Sequence, residues 1–198
     1  MGKKKHNRPL RVFEAFAGIG AQATAFKRLN ANFKIVGISE WMVDAIICYD
    51  AIHNFDKPYG ELPPFEEQIE YLENFEFSRD SINRTNIRML EPEIIEQLYI
   101  ANRRSKNYGS ISQLTGANMP ICDILIYSFP CQDLSTGGNG AGMAEGSGTR
   151  SSLLWEIERV LEELSELNRL PKYLLMENVK TIRSERYMPD LNRFLNSL

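Results

Sequence analysis

The sequence predicts an α/β fold built on a mainly parallel sheet, and a few observations carry that expectation. The chain begins with strand-length apolar runs alternating with helical stretches. Two later apolar runs, CDILIYS (122–128) and YLLM (173–176), are also of strand length, and an amphipathic helical stretch lies between them. That order is what parallel strands with helical crossovers require.

The elements follow in order. Leu10–Phe16 reads as a first strand, glycines at 18 and 20 form a turn, and a helix runs from about Ala21 to Leu29. Phe33–Ser39 (FKIVGIS) is a second strand. Glu40 to about His53 is expected to be helical, with Met42, Ala45, Ile46 and Tyr49 on one face. Residues 54–107 are polar and charged, with Pro58, Pro63, Pro64 and Pro92 as breakers and helical pieces near 65–75 and 91–104. They are expected to form a helical insertion on the α/β frame rather than a second domain. Cys122–Ser128 is a buried strand, and Gly137–Gly148, with six glycines in twelve residues, is expected to be a mobile loop. Leu153–Leu167 is a helix with Leu154, Ile157, Leu161 and Leu164 on its apolar face, and Tyr173–Met176 is a last strand. The sequence stops inside a further helical stretch. Doubly wound sheets usually have about five strands or more. Four or five are legible here, so the sheet is expected to be incomplete at its C-terminal side.

Composition narrows the function classes. Hydrophobic residues are 43% and charged residues 25% of the 198, which is globular composition. No apolar run approaches the roughly 20 residues a membrane helix needs. Residues 1–9 form a basic tail with no apolar segment behind it, so no secretory signal is expected. Three cysteines and two histidines suit neither a disulfide framework nor a zinc site. Reduced thiols, a cytoplasmic location and no bound metal are expected. Cys48 and Cys122 are expected to be buried filler. The net charge of −3 leaves nucleic-acid binding neither advertised nor excluded.

Chemistry-bearing residues lie at the predicted strand ends. Phe16-Ala17-Gly18-Ile19-Gly20 joins a strand to a helix, where glycines permit a tight turn and close ligand approach. Glu40 ends the second strand, placed to accept hydrogen bonds from ribose hydroxyls, and Trp41 offers a face for an adenine ring. The glycine spacing also fits a relaxed dinucleotide fingerprint, so an adenosine-containing cofactor is the reading at this point. Ser128-Phe129-Pro130-Cys131-Gln132 follows the third strand, where a thiol can serve as a nucleophile. Glu177 ends the fourth strand, where a buried carboxylic acid can hydrogen-bond a ring nitrogen.

FAGIG, EW, PCQ and ENV, in this order and at these strand ends, resemble the C5-cytosine DNA methyltransferase family. The stretches RVFEAFAGIGAQ, YSFPCQDLS, RSSLLWEIER and PKYLLMENV are most similar to bacterial CG-specific enzymes of mollicute type. The resemblance implies a Rossmann-like sheet that binds S-adenosylmethionine. It implies cofactor contacts by Phe16, Gly18, Ile19, Gly20, Glu40, Trp41, Ile111, Pro130 and Leu153. Cys131 would add to C6 of a flipped-out cytosine, and Glu177 would hold the base's N3/N4 edge. Asn178 would order the loop carrying Cys131. Gln132, Ser135 and Arg150 would meet double-stranded DNA, although Arg150 reads equally well as a surface charge.

Two departures from the family pattern stand out. Gly109-Ser110-Ile111 carries serine where the family's adenine-binding Asp is expected, which removes a charged acceptor. The family's later arginine motif and target-recognition domain are also not found. The chain is therefore expected to be a partial catalytic domain, part of a longer product or half of a split enzyme, that needs missing C-terminal segments or a complementary C-terminal chain and does not methylate DNA at a useful rate alone. A non-catalytic remnant and an RNA cytosine methyltransferase are the alternatives.

Overall fold

A computed structural model describes residues 8–134 and 141–198. Its centre is a sheet of four strands, ordered β2-β1-β3-β4. The strands are β1 (Leu10–Ala15), β2 (Phe33–Ser39), β3 (Ile124–Tyr127) and β4 (Tyr173–Met176), and every pairing is parallel. All four C-terminal ends therefore share one edge. The chain moves outward from β1 to β2, then returns to the other side of β1 for β3. That reversal opens a crevice between the loops that leave β1 and β3.

Helices cover both faces, as a buried parallel sheet requires. Alternation along β1 sends Phe13 and Ala15 to one side and Val12 to the other. The Phe13 side, with Leu125 and Tyr127, packs on α5 (Leu154–Glu166) and α6 (Met188–Ser197), chiefly through Leu154, Ile157, Leu161, Leu191 and Phe194. The Val12 side, with Ile124 and Ile126, packs on Phe26 of α1 (Ala21–Arg28).

Residues 54–107 carry α3 (Phe65–Leu72) and α4 (Pro92–Arg104). α4 starts with proline at its first turn and ends with Arg103 and Arg104, both favourable at those positions. Leu72, Phe77, Ile95 and Leu98 bury against Val43 and Ile46 of α2 (Val43–His53), so this segment shares a core with the α/β frame.

The boundaries moved where side chains intervene. α2 starts at Val43, not Glu40, because the Glu40 carboxylate accepts the Trp41 and Met42 backbone N–H groups and holds Met42 extended. Cys48 is exposed on α2, whereas Cys122 is buried. Of the expected glycine loop, 137–140 lies outside the described residues. The remainder is anchored: Gly142 N–H donates to Asp133 O, Trp155 Nε1 donates to Met143 O, and Met143 is fully buried. The outer strand β4 is exposed through Tyr173, Leu174 and Leu175.

Candidate functional site

Each strand end builds one part of a common rim. Beneath the turn after β1, Glu14 is buried, accepting Ala23 N–H at 2.9 Å and the Tyr49 hydroxyl at 2.7 Å. It satisfies one of the free donors at the start of α1 and ties β1, α1 and α2 together. Burial pushes its carboxyl above the usual range, an effect partly offset by those hydrogen bonds.

The turn then depends on left-handed backbone. Phe16, Gly18 and Gly20 have φ of 54°, 53° and 79°. Such a conformation costs a non-glycine residue roughly 1–2 kcal/mol, so Phe16 marks a strained position. Gly18 N–H donates to Glu40 Oε2 at 2.8 Å. Glu40 Oε1 accepts Trp41 and Met42 N–H, each at 2.8 Å. The carboxylate is 8% exposed, and desolvation raises its pKa against the pull of these three bonds. Three of about four acceptor positions are filled, leaving capacity for one more strong donor at Oε2.

These elements enclose a cleft of about 360 Å³ in the crevice between β1 and β3. Phe16, Glu40, Trp41, Ile111, Pro130, Gln132 and Leu153 all line it. Gly18, Ile19 and Gly20 do not. Gly18 acts through its N–H, Gly20 packs against Tyr49 and His53, and Ile19 is 54% exposed to solvent. The sequence reading missed Ser39, Met42, Glu76, Ser81, Ser112 and Ser128. Glu76 and Ser81 come from the insertion, whose Ser78 exchanges backbone hydrogen bonds with Trp41 and Val43. No local pattern could reveal that pairing. Ser110 lines the same cleft, its hydroxyl 2.7 Å from that of Ser112.

The loop after β3 is pinned ahead of the thiol. Phe129 O accepts Asn178 Nδ2 at 2.9 Å, and Pro130 O accepts the Ser151 hydroxyl at 2.7 Å. Ser151 N–H in turn donates to the buried Asp133 carboxylate at 3.1 Å. Cys131 is half-buried and Gln132 exposed. Ser151 and Asp133 were not singled out in the sequence because a serine before a helix is usually only a cap. Glu177 follows β4, next to β3, and its N–H continues the ladder to Tyr127 O at 3.1 Å. Its side chain is exposed, not buried as the sequence reading had it, because β4 is an outer strand with open solvent beyond it. Arg150 lies near the cleft, with Nη1 3.5 Å from the Ser81 hydroxyl. Ser135 lies outside the described residues. Among the described residues, no cluster of metal-ligating side chains and no helix long and apolar enough to cross a membrane is present.

The cleft's chemistry discriminates between ligand classes. Among the described residues, its charged lining residues are Glu40 and Glu76. A pyrophosphate would meet two carboxylates, and the Gly18 N–H that would receive it already serves Glu40. A ligand with cationic or amine groups and a flat ring suits these walls, which include Phe16 and Trp41.

Residues 88–198 match the sequence profile of the family described as C-5 cytosine-specific DNA methylase. The chain is 44% identical over 198 residues to the orphan methyltransferase M.SssI of Spiroplasma monobiae, covering 96% of this chain and 51% of that protein. It is 38% identical over 190 residues to the type II methyltransferase M2.ScrFI of Lactococcus lactis subsp. cremoris, covering 94% of this chain and 51% of that protein. The chain thus spans about half the length of these curated relatives.

Proposed function

The chain belongs to the C-5 cytosine-specific DNA methylase family, and on that premise we propose that it supplies the cofactor cleft and catalytic rim of a DNA cytosine-5 methyltransferase. The observation that carries this reading is the cleft at the switch point, lined by Glu40, Glu76, Phe16 and Trp41 and by Pro130 and Gln132, the two neighbours of Cys131 in the chain. S-adenosylmethionine, when bound, supplies an electrophilic methyl group. Its sulfonium and ammonium charges suit a cleft whose charged lining residues, among the described residues, are Glu40 and Glu76. Glu40 takes a ribose hydroxyl at its remaining acceptor position, while Phe16, Trp41, Ile111, Pro130 and Leu153 hold the adenosine by apolar contact.

Cytosine within a duplex cannot present its ring to a thiol, so the target base turns out of the stack. The Cys131 thiolate forms a bond to C6, which pushes electron density onto C5. Once C5 carries the methyl group, loss of its proton re-forms the C5–C6 double bond and expels the thiolate. Glu177 hydrogen-bonds the N3/N4 edge of the base, and the incoming ring supplies the burial its carboxyl lacks. Asn178 and Ser151 keep the thiol loop set before substrate arrives. Gln132 and Ser135 meet the DNA around the vacated base position, and Arg150 meets a phosphate. A cytoplasmic location goes with this reading.

In this reading, C-terminal segments or a complementary chain carrying target recognition complete the enzyme. The apolar outer edge of β4 offers such a segment a docking surface. The test uses a DNA duplex with 5-fluorocytosine at the target, where the adduct cannot lose a C5 proton and is trapped. With S-adenosylmethionine and the second half of the Spiroplasma relative added, the chain is expected to form a denaturation-resistant complex with DNA. The chain alone is expected to form none, and Cys131→Ser abolishes it. A trapped complex that survives Cys131→Ser would remove Cys131 as nucleophile.

A further inference from the structure

The insertion formed by residues 54–107 contributes a wall of the cleft, and its contribution is charged. Glu76 is held against the turn that follows Gly109, its backbone N–H donating to Gln113 Oε1 at 2.6 Å. Phe75, beside it, lies against Gly109, where an added Cβ would come within 3.1 Å of the ring. Glu76 therefore lines the cleft together with Ser110 and Ser112, whose hydroxyls lie 2.7 Å apart. Glu40, the other acid of the cleft, has already committed most of its acceptor positions to backbone N–H groups. Among the described residues, the Glu76 carboxylate makes a long ion pair to Arg84, at 3.6 Å, and its side chain is 38% exposed. It is the acid of this cleft with the more acceptor capacity to spare.

The apolar side chains of Trp41, Ile111 and Leu153 also line the cleft. A planar base entering it turns its polar edge toward an acceptor-rich corner. An exocyclic amine on that edge meets the carboxylate as a donor. A carbonyl in the same place meets it as a second acceptor and is repelled. We propose that Glu76 is a specificity-determining residue of the cleft, reading the amino group of the cofactor's purine and so selecting adenine over hypoxanthine. Ser110 brings a hydroxyl without charge to this corner, and the insertion supplies the charge. The inference rests on the reading of the cleft as an S-adenosylmethionine site and names the residue that distinguishes the base.

The experiment is calorimetric titration of the purified chain with S-adenosylmethionine and with its deaminated counterpart carrying hypoxanthine. Wild type is expected to prefer the adenine form by about 10-fold or more, the size of a lost hydrogen bond to a charged group. Glu76→Ala is expected to weaken adenine binding by about 10-fold and to leave hypoxanthine binding within about 2-fold. Glu76→Gln keeps the side chain's size, and its amide can turn a donor toward a carbonyl. It is therefore expected to erase or invert the preference. Adding Ser110→Asp to Glu76→Ala is expected to restore it. Equal discrimination by wild type and both Glu76 variants would overturn the role of Glu76 while leaving the cleft's identity standing. Absence of binding of either ligand to folded wild-type chain, with folding checked by circular dichroism, would overturn the cleft reading and the inference with it.

Discussion

At the scale of single residues, two glycines two positions apart answer to different constraints. Gly20 has φ of 79°, and a Cβ there would sit 2.2 Å from His53 Nε2 and 2.7 Å from the Tyr49 ring. Gly18 has φ of 53° and nothing within 4 Å of such a Cβ. Gly18→Ala therefore carries only backbone strain, about 1–2 kcal/mol. Gly20→Ala adds overpacking of about 1–3 kcal/mol to that strain. Urea denaturation is expected to rank Gly20→Ala clearly below Gly18→Ala, and equal losses would mean His53 and Tyr49 yield freely. Glu40→Gln is expected to cost about 2–3 kcal/mol in the same assay. An amide leaves one acceptor oxygen for three backbone donors and turns its own N–H groups on the rest.

At the scale of elements, Glu14 joins β1, α1 and α2 and should write itself into the pH dependence of stability. Burial raises its folded-state pKa above the ordinary 4.5. The folded state therefore holds that proton more tightly. Its stabilising contribution is full below 4.5 and is lost as pH climbs through the raised value. Asp123 runs the opposite way. Hydrogen bonds from Arg11 and Arg8 hold its pKa below the ordinary 3.8, so its contribution is present above that value and lost as pH falls. The two windows lie on opposite sides of about pH 4. Glu14→Gln is expected to flatten the decline of the urea midpoint above pH 4.5 and to leave the acid limb intact. The decline should shrink rather than vanish, because Glu40 is raised too. A decline as steep as the wild type's would show that Glu14 does not titrate in that range.

The insertion's core gives a second element-scale expectation. Leu98 on α4 is fully buried in the cluster that also holds Val43 and Ile46. Leu98→Ala is expected to cost about 2–5 kcal/mol. Because the same segment carries Glu76 and Ser81 to the cleft, it should also weaken S-adenosylmethionine binding, measured under conditions where the variant stays folded. Full affinity in the folded variant would mean that the cleft wall is independent of this core.

At the scale of the whole molecule, the outer edge of β4 dominates the surface. Tyr173, Leu174 and Leu175 are 61%, 37% and 46% exposed, and Leu195 and Leu198 are exposed close to the same end of α6. An open apolar strand edge is a template for another strand. Sedimentation velocity is expected to show association that grows with concentration, reduced by Leu175→Lys. A monomer at every concentration, for both forms, would mean that the edge is inert.

The sequence by itself determined the alternation of elements, the four strand ends and the motifs that sit on them. Each of those signals is local: a run of apolar residues, a glycine turn, a cysteine after a strand. Tyr173–Met176 was legible to the residue, and α4 to within one, because apolar runs and a proline mark their limits. Tertiary structure alone decided that the insertion turns back onto Trp41 and brings Glu76 and Ser81 into the cleft, a pairing between residues some 35 positions apart. It also decided that Glu40 spends its oxygens on backbone donors before any ligand arrives, and that Glu177 stands in solvent. Burial and hydrogen-bond partners are properties of neighbours in space. The sequence names each side chain, but only the folded sheet determines which of them meet.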